Sequence, residues 1–339
     1  MSDQNLAPNE KEYVIAQTSD TSNGTASKSP SIGPSIQSEI IETPLPSIED
    51  VVLIDPDCLE LDLNHHRIDK LENFEPLTRV ERICLRWNLI KKIENLSTLT
   101  TLLELELYDN QITKIENLEA LVNLEELDLS FNRIMKIENL DQLIKLEKLY
   151  LCANKIPVIE NLSMLSNLTM LELGDNKIRK IQNIEMLTNL RKLYLGRNKI
   201  VKIENLDTLV NLECLSLQAN RIVKIENLEK LVNLTELYLS ENGIETIENL
   251  DENRKLETLD VAKNRLKSIN NIGYLKELEE LWMNDNEVSD WNNVEILKEN
   301  KQLKTVYLEH NPVAEDKMYR FKLRSILPWL EKIDATLCR

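Results

Sequence analysis

Of the groups able to run covalent or proton-transfer chemistry, the chain holds three histidines, five cysteines and many carboxylates. Their spacing organises none of them into a reaction centre. His65 and His66 are adjacent and His310 lies far along the chain, with no nucleophile and orienting acid around them in a recognisable motif. Cys58, Cys84, Cys152, Cys214 and Cys338 are scattered rather than set at metal-ligand spacing. With six glycines in all, there is no phosphate-cradling loop. The sequence therefore predicts no catalytic residue, no cofactor and no metal site, and hence not an enzyme. Residues of another type do recur. Asp128, Tyr150, Glu172, Tyr194, Tyr238, Trp282 and Tyr307, with Glu280 beside them, place rings and carboxylates at intervals of 22, 44 or, at the end, 25 residues. Their chemistry is non-covalent recognition, in which rings supply contact area and attract cations while carboxylates pair with lysine and arginine.

The elements that must position these side chains follow from a second regularity. Asn88, Asn110, Asn132, Asn154, Asn176, Asn198, Asn220, Asn242, Asn264 and Asn286 recur with an unbroken period of 22, and His66 stands one period earlier. Around each runs one frame, for example Leu124-x-x-Leu127-x-Leu129-x-x-Asn132-x-Ile134-x-x-Ile137-Glu138-Asn139-Leu140-x-x-Leu143. This is the leucine-rich-repeat pattern at the short end of its range. Leu-x-Leu alternates with period two and reads as a short strand; Ile-x-x-Ile and Leu-x-x-Leu fit a 3₁₀ or irregular return. No single repeat can bury its leucines, so neighbours must stack. The predicted fold class is α/β: a leucine-rich-repeat solenoid, or horseshoe, of about 12 repeats. It has a parallel β-sheet on the concave side, a 3₁₀ or irregular convex side and a C-terminal cap. The repeated Asn is read as structural, its amide satisfying backbone groups where the chain leaves the strand.

Residues 1–45, rich in Ser, Thr, Pro and acids and without apolar periodicity, read as a disordered tail. Ser29-Pro30 and Thr43-Pro44 within it have the form of proline-directed phosphorylation sites. Residues 46–311 form the solenoid and 312–339 its cap. Asn311 comes three positions late for the period and is followed by Pro312; Glu315 to Leu327 then reads as a helix stopped by Pro328, with Trp329, Leu330 and Ile333 as a lid on the exposed end. Nothing in the tail reads as a signal peptide, since it has no basic start and no apolar run, and no segment approaches the apolar length expected of a membrane span. The odd, unclustered cysteines point to a reducing, intracellular setting. Charged ladders such as Glu94, Glu116, Glu138 and Glu160 beside Lys92, Lys114 and Lys136 are solvated pairs contributing roughly 0–1 kcal/mol each.

In a strand the residue between the two leucines points away from the core. Down the solenoid this position reads Asp62, Cys84, Glu106, Asp128, Tyr150, Glu172, Tyr194, Ser216, Tyr238, Asp260, Trp282 and Tyr307; neighbouring outward positions add Arg82, Arg86, Trp87, Tyr108, Phe131, Lys148, Glu236 and Glu280. Exposed Tyr and Trp among charges is the composition of protein-binding hot spots. Eight strand steps from Asp128 to Tyr307 span roughly 38 Å at about 4.8 Å per step, the face of a globular domain. The net charge of −17 argues for a basic partner and against nucleic acid or an anionic membrane.

With the Ile-Glu-Asn-Leu steps beginning at Ile93, Ile115, Ile137, Ile159, Ile203, Ile225 and Ile247, and the segment Asn311-Pro312…Tyr319-Arg320…Leu327-Pro328-Trp329-Leu330-Glu331-Lys332-Ile333-Asp334, the chain resembles the leucine-rich-repeat regulatory subunit of type 1 serine/threonine protein phosphatase. The resemblance runs from about residue 55 onward. It implies a non-catalytic subunit that holds the phosphatase catalytic subunit at Asp128, Tyr150, Glu172, Tyr194, Glu280, Trp282 and Tyr307. It also implies control of activity, maturation or mitotic targeting, a nuclear and cytoplasmic location, and a third inhibitor protein in a ternary complex. Tyr150 and Tyr194 stand where relatives also use Phe. The basic-x-Val/Ile-x-Phe/Trp docking motif of many phosphatase regulators is absent: Arg79-Val80-Glu81-Arg82 lacks the aromatic and Met318-Tyr319-Arg320-Phe321 lacks the Val or Ile. The alternative is a generic intracellular scaffold of spliceosomal, ciliary or centrosomal type.

Overall fold

The computed structural model describes residues 55–338 together with the short strands β1 (Tyr13–Val14) and β2 (Leu53–Ile54), which pair antiparallel. The rest of the tail expected over residues 1–45, with its two Ser/Thr-Pro steps, lies outside the described residues. Twelve three-residue strands then follow, one per turn. They are β3 (Glu60–Asp62), β4 (Arg82–Cys84), β5 (Glu104–Glu106), β6 (Glu126–Asp128), β7 (Lys148–Tyr150) and β8 (Met170–Glu172). The series continues with β9 (Lys192–Tyr194), β10 (Cys214–Ser216), β11 (Glu236–Tyr238), β12 (Thr258–Asp260), β13 (Glu280–Trp282) and β14 (Thr305–Tyr307). All are parallel and in sequence order, and β15 (Lys332–Ile333) and β16 (Thr336–Leu337) extend the same sheet as a terminal hairpin.

The frame leucines and isoleucines form one continuous core, nearly all fully buried. Strands stop after three residues because the residue just before each frame Asn takes a left-handed backbone, with φ between 51° and 61° from His65 through Trp87 and Phe131 to His310. That conformation costs a non-glycine residue roughly 1–2 kcal/mol. The asparagine that follows offsets it. Asn176 Nδ2 donates to Leu173 O, to Gly174 O and, in the preceding turn, to Leu151 O, while its Oδ1 accepts from Ile156 N–H at 2.9 Å. The same set recurs at the other frame asparagines. This satisfies buried backbone groups as the spacing predicts. His66 is exposed and its Nδ1 meets Asn64 O.

A second asparagine ladder carries the convex bend. The Asn of each Glu-Asn-Leu step, and of its variants, from Asn95 to Asn271 has φ between 54° and 60°. Each donates Nδ2 to a carbonyl of the turn before, as Asn139 does to Ile115 O at 2.7 Å. Asn tolerates this backbone region better than other side chains.

The C-terminal turns differ from expectation in two places. The lengthened turn between Asn286 and Asn311 accommodates its extra residues in helix α1 (Trp291–Val294), capped by Asp290, and a 3₁₀ turn over Glu295–Glu299. The helix expected over Glu315 to Leu327 begins later: Pro312–Glu315 is a separate 3₁₀ turn, Asp316 is extended, and α2 spans Tyr319–Ile326. Asp316 breaks the run by accepting Met318 N–H and pairing with Lys322. The lid is as expected, with Leu330 and Ile333 buried and Trp329 packed on the core under Lys301 Nζ. Asp334, which follows Ile333 in register opposite Tyr307, closes the end of the stack: where earlier turns offer a carbonyl of the next strand to the equivalent of Leu308, its Oδ1 accepts from Leu308 N–H, Glu309 N–H and Tyr319 Oη.

Candidate partner-binding face

Perfect register places every third strand residue opposite its counterpart. Asp128, Tyr150, Glu172 and Tyr194 are consecutive partners, then Ser216 and Tyr238, then Asp260, Trp282 and Tyr307. Seven of the eight site residues expected from the sequence therefore share one concave row, and Glu280 stands at the first position of the Trp282 strand. All eight are brought to one face. They divide into two groups, because Ser216 at the waist is only 2% exposed.

In the C-terminal group the Trp282 ring lies edge-on between Tyr238, at 6.4 Å, and Tyr307, at 6.0 Å. Trp282 Nε1–H donates to Glu280 Oε2 at 3.0 Å, Tyr238 Oη donates to Glu236 Oε2, and Lys332 Nζ sits over Tyr307. The carboxylate thus fixes the indole before any partner arrives, which lowers the ordering cost of binding. Burial pushes the Tyr238 hydroxyl pKa up, with Glu236 adding to the shift, and raises that of Asp260.

The central group is built around Glu172. Its carboxylate folds down so that Oε1 accepts Gly174 N–H at 2.7 Å, and burial pushes its pKa up to about 7 despite that bond. Asp128 behaves likewise: Oδ1 accepts Ser130 N–H at 2.9 Å and burial raises the pKa. The outward acids are therefore not simply solvated, because each also satisfies an amide two residues on. Gly174 makes this possible, since a Cβ there would stand 2.6 Å from Glu172 Oε1. Gly174, Gly196, Phe131, Cys152 and Tyr194 line, with Glu172, a hollow of about 410 Å³. Sequence reasoning missed these glycines, although two of only six in the chain lie one repeat apart at the same frame position.

Continuity of a third group was also missed. His65 stacks on Trp87 at 4.5 Å, Trp87 meets Tyr108 edge-on at 5.6 Å, and Tyr108 meets Phe131 at 4.8 Å. Trp87 and Phe131 are 41% and 47% exposed. These rings occupy two frame positions, so no single-position reading aligns them. Beside them Arg86 pairs with Glu106, which also accepts from the Cys84 thiol.

Among the described residues no group of His, Cys, Asp or Glu is arranged to hold a metal ion, and no helix is long and apolar enough to cross a membrane. His310 is engaged by Asp285 at 2.9 Å. What the face offers is a curved wall of rings and desolvated carboxylates, the equipment for gripping a protein surface that presents cations.

Comparison with known proteins agrees with the geometry. The family described as Leucine-rich repeat matches residues 142–239, and that described as Leucine Rich repeats (2 copies) matches 100–142 and 254–295. An internalin from Listeria monocytogenes is 26% identical, covering 85% of this chain and 91% of that one, with a TM-score of 0.68. A leucine-rich-repeat protein from Leptospira interrogans is 25% identical, covering 76% and 73%, with a TM-score of 0.65. The fold is that of a leucine-rich-repeat solenoid. More particularly, the chain is similar to protein phosphatase 1 regulatory subunit 7, being 56% identical to the human protein over 49 residues and 55% identical to the Bos taurus protein over 46. Those matches span 14% of this chain and 14% and 13% of the two relatives.

Proposed function

We propose that this protein is a non-catalytic regulatory subunit whose concave face binds the catalytic subunit of type 1 serine/threonine protein phosphatase. The observation that carries the reading is the in-register row from Asp128 to Tyr307, in which rings and carboxylates interleave on either side of Ser216, in a chain similar to regulatory subunit 7 over 49 residues. Asp128 and Glu172 pair with lysine or arginine of the phosphatase, and Trp282 and Tyr307 fill shallow apolar depressions. Such an interface controls the activity, maturation or mitotic targeting of the phosphatase in the nucleus and cytoplasm. Because only one wall is used, the outer surface of a bound phosphatase stays open to a third, inhibitory protein.

Calorimetric titration of the purified protein with the catalytic subunit tests this reading. Trp282→Ala is expected to lose about 2–4 kcal/mol of binding, as for a central aromatic anchor, while a control in the convex charge ladder, Glu138→Gln, binds like the wild type. A folded wild-type protein that does not bind returns the chain to the generic scaffold class; equal affinity for Trp282→Ala refutes the site.

A further inference from the structure

We propose that a basic stripe along one flank of the solenoid docks an acidic segment of a partner protein that carries aliphatic residues among its acids. The site lies off the concave row and does not depend on the phosphatase reading.

Five consecutive turns build the stripe. From the residue after the frame Asn they read Arg-Ile-Met-Lys at 133–136, Lys-Ile-Pro-Val at 155–158, Lys-Ile-Arg-Lys at 177–180, Lys-Ile-Val-Lys at 199–202 and Arg-Ile-Val-Lys at 221–224. These steps hold ten cations and no carboxylate, in a chain with 58 acids to 41 bases. The first residue of each step is held by the same bond, its N–H donating to an isoleucine carbonyl of the turn before, as Lys177 does to Ile156 at 2.9 Å. Arg133, Lys155, Lys177, Lys199 and Arg221 therefore form one in-register column with rungs roughly 5 Å apart. Its limits are sharp, with Leu89 and Gln111 in the same column before it and Gly243 after it.

Like charges stacked at that spacing repel, and neighbouring turns show how the chain relieves this. Lys92, Lys114 and Lys136 each pair with the glutamate two residues on. Among the described residues Lys136 is the one cation of the stripe in an ion pair. Glu160, Glu204 and Glu226 continue the glutamate column but pair with none of the others, and the middle turn has Gln182 in that place. Asp175, on the adjacent rim, is taken by Arg197. Nine cations are thus left for an outside anion.

The occupant must also meet apolar surface. Between the two columns of cations Met135, Val201 and Val223 are 62%, 57% and 64% exposed. A polypeptide with acids and aliphatic residues side by side matches both features. A nucleic acid would need rings on which to stack its bases, and these five steps contain none. A bilayer would need longer apolar anchors than valine, and an anionic one repels a chain of net charge −17. Four rungs span roughly 19 Å, the length of about six extended residues.

Fluorescence anisotropy of the full chain with a labelled twelve-residue peptide of six Asp or Glu and three Val or Leu residues tests the proposal. A peptide with serine at the three aliphatic positions, a twelve-nucleotide single strand and phosphatidylserine vesicles serve as comparisons. Saturable binding of the acidic, aliphatic peptide is expected, weakened by high salt and by the serine replacements. Lys155→Glu with Lys177→Glu should lower the affinity about tenfold by removing two exposed pairings. Lys230→Glu with Lys317→Glu makes the same change of charge outside the stripe and should leave binding nearly unchanged. All four positions are exposed, and circular dichroism verifies that each variant folds. No saturable binding, equal losses in the two double variants, a serine peptide that binds as well, or tighter binding of the single strand or the vesicles would overturn it.

Discussion

Lowering the pH from 8 to 6 should weaken the grip of the concave face on a basic partner by about tenfold through Glu172 alone. In the free protein, burial holds this carboxyl at a pKa of about 7. The groups around it among the described residues are the Tyr150 and Tyr194 hydroxyls, the Cys152 thiol and Asp175, with Gly174 N–H donating a hydrogen bond to it. None of these is a cation, and Arg197, at the rim of the same hollow, is paired with Asp175 instead. An ammonium or guanidinium from the partner supplies the missing counter-charge and drives the bound pKa well below 7. The complex therefore holds fewer protons than its separated components, so affinity rises with pH through 7 and levels off above it. The ionised fraction of free Glu172 is about 0.9 at pH 8 and about 0.1 at pH 6, which sets the tenfold figure. Calorimetry against the phosphatase catalytic subunit at both pH values, with Glu172→Gln beside the wild type, reads it directly. At pH 7, buffers of different ionisation enthalpy should report about half a proton released per complex. A wild-type affinity flat from pH 6 to 8, or an equal slope in Glu172→Gln, refutes the reasoning.

Other consequences are open to measurement. Because the folded pKa of Glu172 lies above its unfolded value, the carboxyl's contribution to stability is intact below about pH 4.5 and is lost as pH rises towards 7. Glu172→Gln should thus raise stability at pH 8 by roughly 1–2 kcal/mol after allowance for partial solvation, and leave it unchanged near pH 4, in urea melts. Gly174→Ala puts a Cβ 2.6 Å from Glu172 Oε1, pushing the carboxylate towards solvent; the pH dependence of binding should shrink even where the affinity at pH 8 survives. Asn176→Ala strands Ile156 N–H in the core and leaves the Leu151 carbonyl with Asn154 Nδ2 as its donor; it should cost about 1–3 kcal/mol in denaturant unfolding, with binding of the remaining folded protein unchanged.

The repeat period dictates the strand positions, and with them the concave row, because a parallel in-register stack converts sequence spacing directly into adjacency. It does not dictate what happens off the strands. The extra residues between Asn286 and Asn311 form α1, whose cap Asp290 is visible in the sequence only once a helix is suspected there. The role of Asn95 and its equivalents is hidden because an Ile-Glu-Asn-Leu step looks like consensus, whereas a left-handed backbone at the Asn is a three-dimensional demand. The aromatic run from His65 to Phe131 crosses two frame positions, which periodic reading separates. Period two says that Glu172 points outward; it cannot say that the carboxylate bends back onto Gly174, since that depends on a missing Cβ two residues away.

Both asparagine ladders reach backward. Asn176 completes Leu151 and Ile156 of the turn before it, Asn139 completes Ile115, and Asp334 completes Leu308. A turn is therefore finished only when its C-terminal neighbour is in place, which gives the stack a polarity that identical repeats alone would not have. In a one-dimensional chain of coupled units, removing either end unit breaks main-chain bonds, but only removal of the final unit takes away the side-chain groups that serve the backbone of the turn before it. Loss of Asp334 should therefore start a melting front at the C-terminal end that passes Tyr307 and Trp282 first, so the aromatic half of the wall would fade while the Glu172 half still held its shape.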